Sequence, residues 1–262
     1  MTETARASQG VPCWVTLLVP SLEAAQHFYG ELLGWRYRPG SQKLGHYMIA
    51  LAGDTAVAGL GEARDTLRVL TAWTAYFATD SVDAAAGRVR ERGATVAVGP
   101  VGFGSGRVAW AADPAGAVFG IWEGGTDPEW RRGGRPGAPA WLELITRDSF
   151  AAALFYGEVF GWDRADPDRY DIRYEHDRVL LRVDGRTVAG ISGGAVEDAP
   201  DPRVRPHWHV HFRVDDVDAT AARARALGAE VVEGPARTPT GRLAVIRDPQ
   251  GAVFSVEASA SR

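Results

Sequence analysis

Apolar and polar positions alternate from Trp14, where Val15, Leu17 and Val19 interleave with Trp14, Thr16 and Leu18; this pattern predicts a strand with two different faces. The period then changes. Leu22, Ala25, Phe28, Tyr29, Leu32 and Leu33 recur at helical spacing, and Gly34 is placed to stop the helix. Shorter strand-like runs follow at Tyr47–Leu51 and Thr55–Leu60, with Gly53-Asp54 as the turn between them. A second unit of the same design opens at Trp73, with a helix over Val82–Arg92 that ends at Gly93.

The whole pattern is then repeated. WVTLLVPSLEAAQHFYGELLGW from Trp14 returns as WLELITRDSFAAALFYGEVFGW from Trp141. The stretch from Trp73 returns at Trp208, and GRVAWAADPAGAVF from Gly106 returns as GRLAVIRDPQGAVF from Gly241. Three matched blocks in one order predict a duplicated domain, each copy built from two βαβββ modules. Between the copies, Gly124 to Pro139 is dense in Gly, Pro and charge and reads as an exposed linker. The expected organisation is a flexible tail over 1–10, a first domain over 11–123, a linker over 124–139 and a second domain over 140–262.

Composition narrows the class. A chain of 262 residues with 45% apolar residues and a formal charge of -4 is expected to fold around a real core. Cys13 is the single cysteine, so no intramolecular disulfide is possible, and a reducing, cytoplasmic location is expected. No apolar run approaches the roughly 20 residues of a membrane span, and Met1 to Gly10 lacks the apolar stretch of a signal peptide. No basic block stands out, which argues against nucleic-acid binding.

FYGELLGW and FYGEVFGW, the VAGL and VAGI strands at Val57 and Val188, and the DPAGAVF and DPQGAVF turns resemble the vicinal oxygen chelate superfamily of glyoxalases, bleomycin-resistance proteins and extradiol dioxygenases. The resemblance covers nearly all of the chain outside the tail and linker. It is strongest to the tandem two-domain actinobacterial type often labelled hydroxylase. It implies an α+β fold of four βαβββ modules, paired into two glyoxalase-like domains whose curled mixed sheets enclose a cup. It also implies ligand positions for a divalent ion, which fall on Trp14, Gly59, Thr74 and Gly120 in the first half. In the second half they fall on Trp141, Gly190, His209 and Ser255. Only His209 among these suits a divalent metal, and one imidazole does not hold a catalytic ion. No metal and no cofactor is therefore expected.

Strand parity places His207, His209 and His211 on one face and Trp208, Val210 and Phe212 on the other. By the same parity Glu143 and Glu257 join the side of the histidines. Glu143, His209 and His211 are the candidate catalytic residues, suited to proton transfer or to a shifted metal site. The bland alternative is a strand whose histidines are solvated or held by structural hydrogen bonds. Candidate ligand contacts are Trp14, Thr16, Tyr76, Trp110, Trp122, Trp141 and Glu257, an aromatic and weakly polar set able to stack on a planar compound. Trp14 and Trp141 are equally readable as packing that fills a former metal position. Arg107 and Arg242 match across the repeat as loop clamps, and the Gly-rich Val101–Arg107 reads as a hairpin rather than a phosphate loop. The expected function is metal-independent binding of a small aromatic molecule or secondary metabolite by a monomer or homodimer. A lyase, isomerase, cyclase or hydroxylase-like enzyme using Glu143, His209 and His211 is the alternative.

Overall fold

The computed structural model describes residues 9–40, 46–63, 71–127, 130, 134–162, 166–175, 178–196, 204–238 and 241–259. Four βαβββ modules follow one another. The first is β1 (Pro12–Val19), α1 (Leu22–Leu33), β2 (Arg36–Pro39), β3 (Tyr47–Ala52) and β4 (Thr55–Glu62). The second is β5 (Trp73–Ala78), α2 (Val82–Glu91), β6 (Thr95–Phe103), β7 (Gly106–Ala112) and β8 (Val118–Glu123). The third is β9 (Pro139–Ile145), α3 (Ser149–Phe160), β10 (Tyr170–Glu175), β11 (Arg178–Val183) and β12 (Arg186–Ser192). The fourth is β13 (His207–Arg213), α4 (Val217–Ala226), β14 (Glu230–Thr238), β15 (Gly241–Arg247) and β16 (Val253–Ser259). The strands form two eight-stranded sheets, ordered β2-β3-β4-β1-β5-β8-β7-β6 and β10-β11-β12-β9-β13-β16-β15-β14. Each sheet mixes parallel and antiparallel ladders, as in β1/β4 against β3/β4, and the class is α+β.

Local sequence sets where the helices begin. Ser21, Ser81, Asp148 and Asp216 stand in extended backbone just before them, and each accepts a hydrogen bond from the backbone N–H three residues on. Gly34 and Gly161 end α1 and α3 in left-handed backbone.

Backbone proximity divides the chain into two compact units, each drawing one module from either half of the repeat. One contains Met1–Cys13, Thr74–Arg131 and Trp141–Trp208, and the other contains Trp14–Trp73, Arg132–Ala140 and His209–Arg262. Residues 1–8, most of the expected tail, and 128–129 and 131–133 of the expected linker lie outside the described residues.

In the first unit the α3 tyrosine of FYGE meets the aspartate of the DPAG turn. Tyr156 Oη donates to Asp113 Oδ2 at 3.1 Å and accepts from Trp208 Nε1 at 3.0 Å. Asp113 Oδ1 meanwhile accepts from the Ala115 and Ala117 N–H groups, both at 2.9 Å, and so shapes the turn. Phe77, Phe119, Phe160 and Trp208, all buried, close around the tyrosine. Gln9 and Gly10 belong to this core: Gly10 donates to Ala78 O and its carbonyl accepts from Trp162 Nε1 at 2.8 Å.

The second unit repeats the design. Tyr29 Oη donates to Asp248 Oδ2 at 2.9 Å, and Asp248 Oδ1 accepts from Gln250 and Ala252 N–H. Trp35 stacks on Tyr29 at 5.2 Å, and its indole N–H donates to Gly137 O at 2.7 Å. Gly10 and Gly137 have φ of 70° and 80°; a Cβ on Gly10 would collide with Phe160 and Trp162, and one on Gly137 with the Leu33 carbonyl. Gly137 and Ala138 are accordingly buried, so the Gly/Pro segment ends inside a core rather than in solvent.

Burial, then the facing carboxyl, raises both tyrosines well above their ordinary value of 10.0. A folded-state value above the unfolded one means that the stability they contribute is complete below pH 10 and drains as pH rises beyond it. Alkaline titration should therefore show tyrosinate absorbance of Tyr29 and Tyr156 appearing together with loss of circular dichroism; ionisation ahead of unfolding would contradict the buried pairs. Tyr156→Phe strands Asp113 Oδ2 and Trp208 Nε1 and should lower stability by about 1–3 kcal/mol in denaturant titration.

Candidate functional site

One ladder position is comparable in all four modules. Thr16 stands opposite Gly59, Tyr76 opposite Gly120, Glu143 opposite Gly190 and His211 opposite Ser255. Each pair joins the first strand of a module to its last, where ligand positions of metal-using relatives are expected.

In the second compact unit, Gly59 forms a cradle filled by Tyr47 of β3. A Cβ at Gly59 would lie 1.6 Å from Tyr47 Oη. That hydroxyl accepts from Trp14 Nε1 at 3.1 Å and shares a proton with Thr16 Oγ1 at 3.3 Å. Burial raises the phenol above its ordinary value, and the two side-chain hydrogen bonds partly oppose this. The β13 face of the same unit carries His209 and His211, both buried, with ring centroids 5.1 Å apart at 72°. His209 Nε2 is 2.8 Å from Ser255 Oγ, and Ser255 is itself buried. At the end of the strand, Arg213 pairs with Glu257 at 3.4 Å, which engages Glu257 in a half-buried ion pair. His207 sits nearer solvent, with Nδ1 2.7 Å from Arg205 O.

In the first compact unit, the Tyr76 ring lies across Gly120, where a Cβ would come within 2.1 Å of it. Trp110 Nε1 donates to Tyr76 Oη at 2.9 Å, and Phe103 stands edge-on to both Trp110 and Trp122. Trp122 covers Gly106 and Gly124 and donates to Gly125 O at 3.2 Å, closing the base of the β7–β8 region. Trp141 leans over Gly190, with a Cβ there 2.8 Å from the indole. Glu143 is buried on the next residue of that face, and Ser192 Oγ donates to its Oε1 at 2.5 Å.

The matched arginines act as clamps. Arg107 binds Asp83 through two nitrogens, at 2.5 and 3.1 Å, and Arg242 binds Asp218 at 2.7 Å. Each ties a hairpin to the first turn of the preceding helix. A cleft of about 570 Å³ beside the start of α4 contains the second clamp, with Asp215, Asp216 and Arg237 on its walls.

Comparison with known proteins agrees with this layout. Residues 13–121 match the model of the glyoxalase/bleomycin resistance protein/dioxygenase superfamily, and residues 141–257 match that of a glyoxalase-like domain. The Mycobacterium tuberculosis protein named "Putative glyoxylase CFP32" is 36% identical over 264 residues, covering 98% of this chain and 97% of its own. The anthracycline biosynthesis protein DnrV of Streptomyces peucetius is 37% identical over 269 residues, covering 96% and 94%. The chain belongs to the vicinal oxygen chelate superfamily. Among solved structures of that fold, a Mn(II)-bound glyoxalase from Novosphingobium aromaticivorans superposes with a TM-score of 0.63 at 20% identity, over 97% of this chain and 85% of its own. The 2,3-dioxygenase LapB of Pseudomonas sp. KL28 superposes at 0.64 and 15% identity, over 97% and 94%.

A divalent ion of the kind that superfamily implies does not fit these residues. Three of the four last-strand positions are glycines without a donor, and the space beside them holds Tyr47, Tyr76 or Trp141. The fourth is Ser255, whose hydroxyl is engaged by His209. Among the described residues no three His, Cys, Asp or Glu side chains converge as ligands.

Tyr47 and Ser192 were not singled out by sequence reasoning, and Ser255 was named only as an expected ligand position, not as the partner of His209. A signal for Tyr47 exists, because it pairs with Gly61 and is thus the diagonal neighbour of Gly59 on the same face of the hairpin. Gly59→Ala should lower stability by about 1–3 kcal/mol through overpacking, and the same change should cost much less in a Tyr47→Ala background, which is itself weakened by loss of the ring. A thermal melt of the three variants checks this; a harmless Gly59→Ala would mean that Tyr47 does not occupy the cradle.

Proposed function

We propose that this chain is a metal-independent small-molecule binding protein of the glyoxalase/bleomycin-resistance type, and that its ligand is a flat aromatic compound or secondary metabolite. The observation that carries this reading is the exchange of donor side chains for aromatic rings at the last-strand glycines. Within one unit Trp14 is half-buried beside the Tyr47 hydroxyl, and within the other Trp110, Trp122 and Trp141 are half-buried, with Tyr76 and the Glu143–Ser192 pair held by hydrogen bonds. Apolar ring surface with a small number of placed polar groups is the usual make-up of a small-molecule site. Relatives named for anthracycline biosynthesis favour a flat aromatic ligand. The functional domains are taken as 11–123 and 140–262, and the buried, unbridged Cys13 supports a reducing cytoplasmic setting. Among the described residues no helix is long and apolar enough to cross a membrane.

Within this reading His209 and His211 supply imidazole nitrogens that donate or accept, and Ser255 orients His209. In the other compact unit Glu143, held by Ser192, offers a separate acceptor to a ligand hydroxyl or amine bound there. The second reading is an enzyme in which Glu143 moves a proton. The buried carboxylate and its 2.5 Å hydrogen bond favour it, because burial of that kind suits a general base.

Calorimetric titration of chelator-treated protein with an anthracycline tests the first reading. Binding should survive metal removal, and His209→Ala and His211→Ala, both in the second compact unit, should each weaken it about tenfold, equivalent to about 1.4 kcal/mol. Absence of binding, or variants indistinguishable from the parent, would sink it. Stoichiometric zinc, iron or nickel in the purified protein, lost in His209→Ala, would overturn metal independence. Conversion of the bound compound by the parent but not by Glu143→Gln, with binding retained in both, would establish the second reading.

A further inference from the structure

Each eight-stranded sheet ends in two edge strands, and three of the four edges are blunted. β2 is four residues long, carries Arg36 and Arg38 on one face and ends in Pro39. β6 contains Gly99-Pro100 and β14 contains Gly234-Pro235, and the ladder of each is broken by register shifts. Proline, like charges and bulges are the means by which an edge is kept from pairing with another chain. β10 has neither proline nor a bulge, and its charges, Asp171, Arg173 and Glu175, are of mixed sign. Its sequence, YDIRYE, lacks Pro and Gly, and it pairs with β11 in unbroken register over all six residues.

The apolar surface beside β10 is also unusual. The large apolar side chains of α1, α2 and α4 are buried or half-buried, whereas α3 exposes Phe150 and Leu154 at 59% and 50%. One helical turn apart, these residues share a face. Tyr174 of β10, 58% exposed, lies 6.1 Å from the Phe150 ring and extends that surface to the strand edge.

We propose that the β10 edge and the outer face of α3 form a two-fold interface with a second copy of this chain, the two β10 strands pairing antiparallel. The charge pattern selects both the partner and the register. Two identical antiparallel strands place residues of equal parity opposite one another, so only registers centred on a residue are allowed. Centred on Arg173, the strand sets Arg173 against Arg173 and Asp171 against Glu175, which is repulsive. Centred on Ile172, it sets Asp171 against Arg173 twice and Tyr170 against Tyr174 twice. Within one chain Asp171 and Arg173 already pair at 2.6 Å, two residues apart on one face, so the exchange conserves the ion pair while doubling its partners. The other face carries Tyr174 toward Phe150 and Leu154 and buries that surface against its symmetry mate.

Sedimentation equilibrium over a dilution series tests this with three chains. The parent should dimerise. Asp171→Arg should weaken the dimer at least about tenfold, by setting arginine against arginine, and Asp171→Arg with Arg173→Asp should restore it. Matching circular dichroism and melting temperatures show that all three fold. A parent that stays monomeric throughout overturns the proposal, as does a dimer indifferent to Asp171→Arg or a double variant that fails to recover.

Discussion

The buried tyrosine–aspartate hydrogen bond is the contact around which each compact unit is organised. Tyr29 with Asp248 and Tyr156 with Asp113 join a helix from one half of the repeat to a turn from the other. Each aspartate does two jobs: one oxygen fixes the backbone of its own turn while the other receives the phenol. A carboxyl so deep in an aromatic core is unfavourable by itself, and burial raises its affinity for a proton. Three donors per carboxyl offset that cost and demand one relative placement of helix and turn. Register, helix seating and the tryptophans around the tyrosine then follow from that placement.

The same scaffold carries unlike surfaces at one repeated ladder position. Where Thr16, Tyr76 and Glu143 face glycine, an aromatic side chain from a neighbouring position takes the empty volume. Where His211 faces serine, the hydroxyl is recruited by His209 instead. Glycine on a last strand thus works as a receptacle, and the identity of the ring it receives decides whether a tyrosine hydroxyl or a bare indole is presented.

Much of this was legible in the sequence. Four modules, their strand and helix order and the duplicated tryptophans follow from spacing, because periods of two and 3.6 residues and capping side chains are local properties. The parity of HWHVH places His209 with His211 and puts Trp208 and Phe212 on the core side, as the ring contacts show. Less legible were Tyr47, Ser192 and Ser255, whose importance comes from a neighbour on another strand. The aromatic group Trp110, Tyr76 and Trp122 was expected as a set, yet its internal bonding, with Trp110 donating to Tyr76 and Trp122 closing over Gly106 and Gly124, belongs to the folded chain.

Sequence by itself determined the strand and helix order of the four modules, since periodicity is written residue by residue, and its motifs carried the resemblance that placed Gly59, Gly120 and Gly190 at expected ligand positions. Tertiary structure decided which modules share a core, and it chose the first with the fourth and the second with the third. It also decided that the glycine cradles are filled, that Ser255 holds His209, and that α3 turns Phe150 and Leu154 outward beside β10. These outcomes depend on contacts between residues distant in the chain. Such contacts form only where excluded volume and hydrogen-bond satisfaction are met together, and neither condition is a property of a local window.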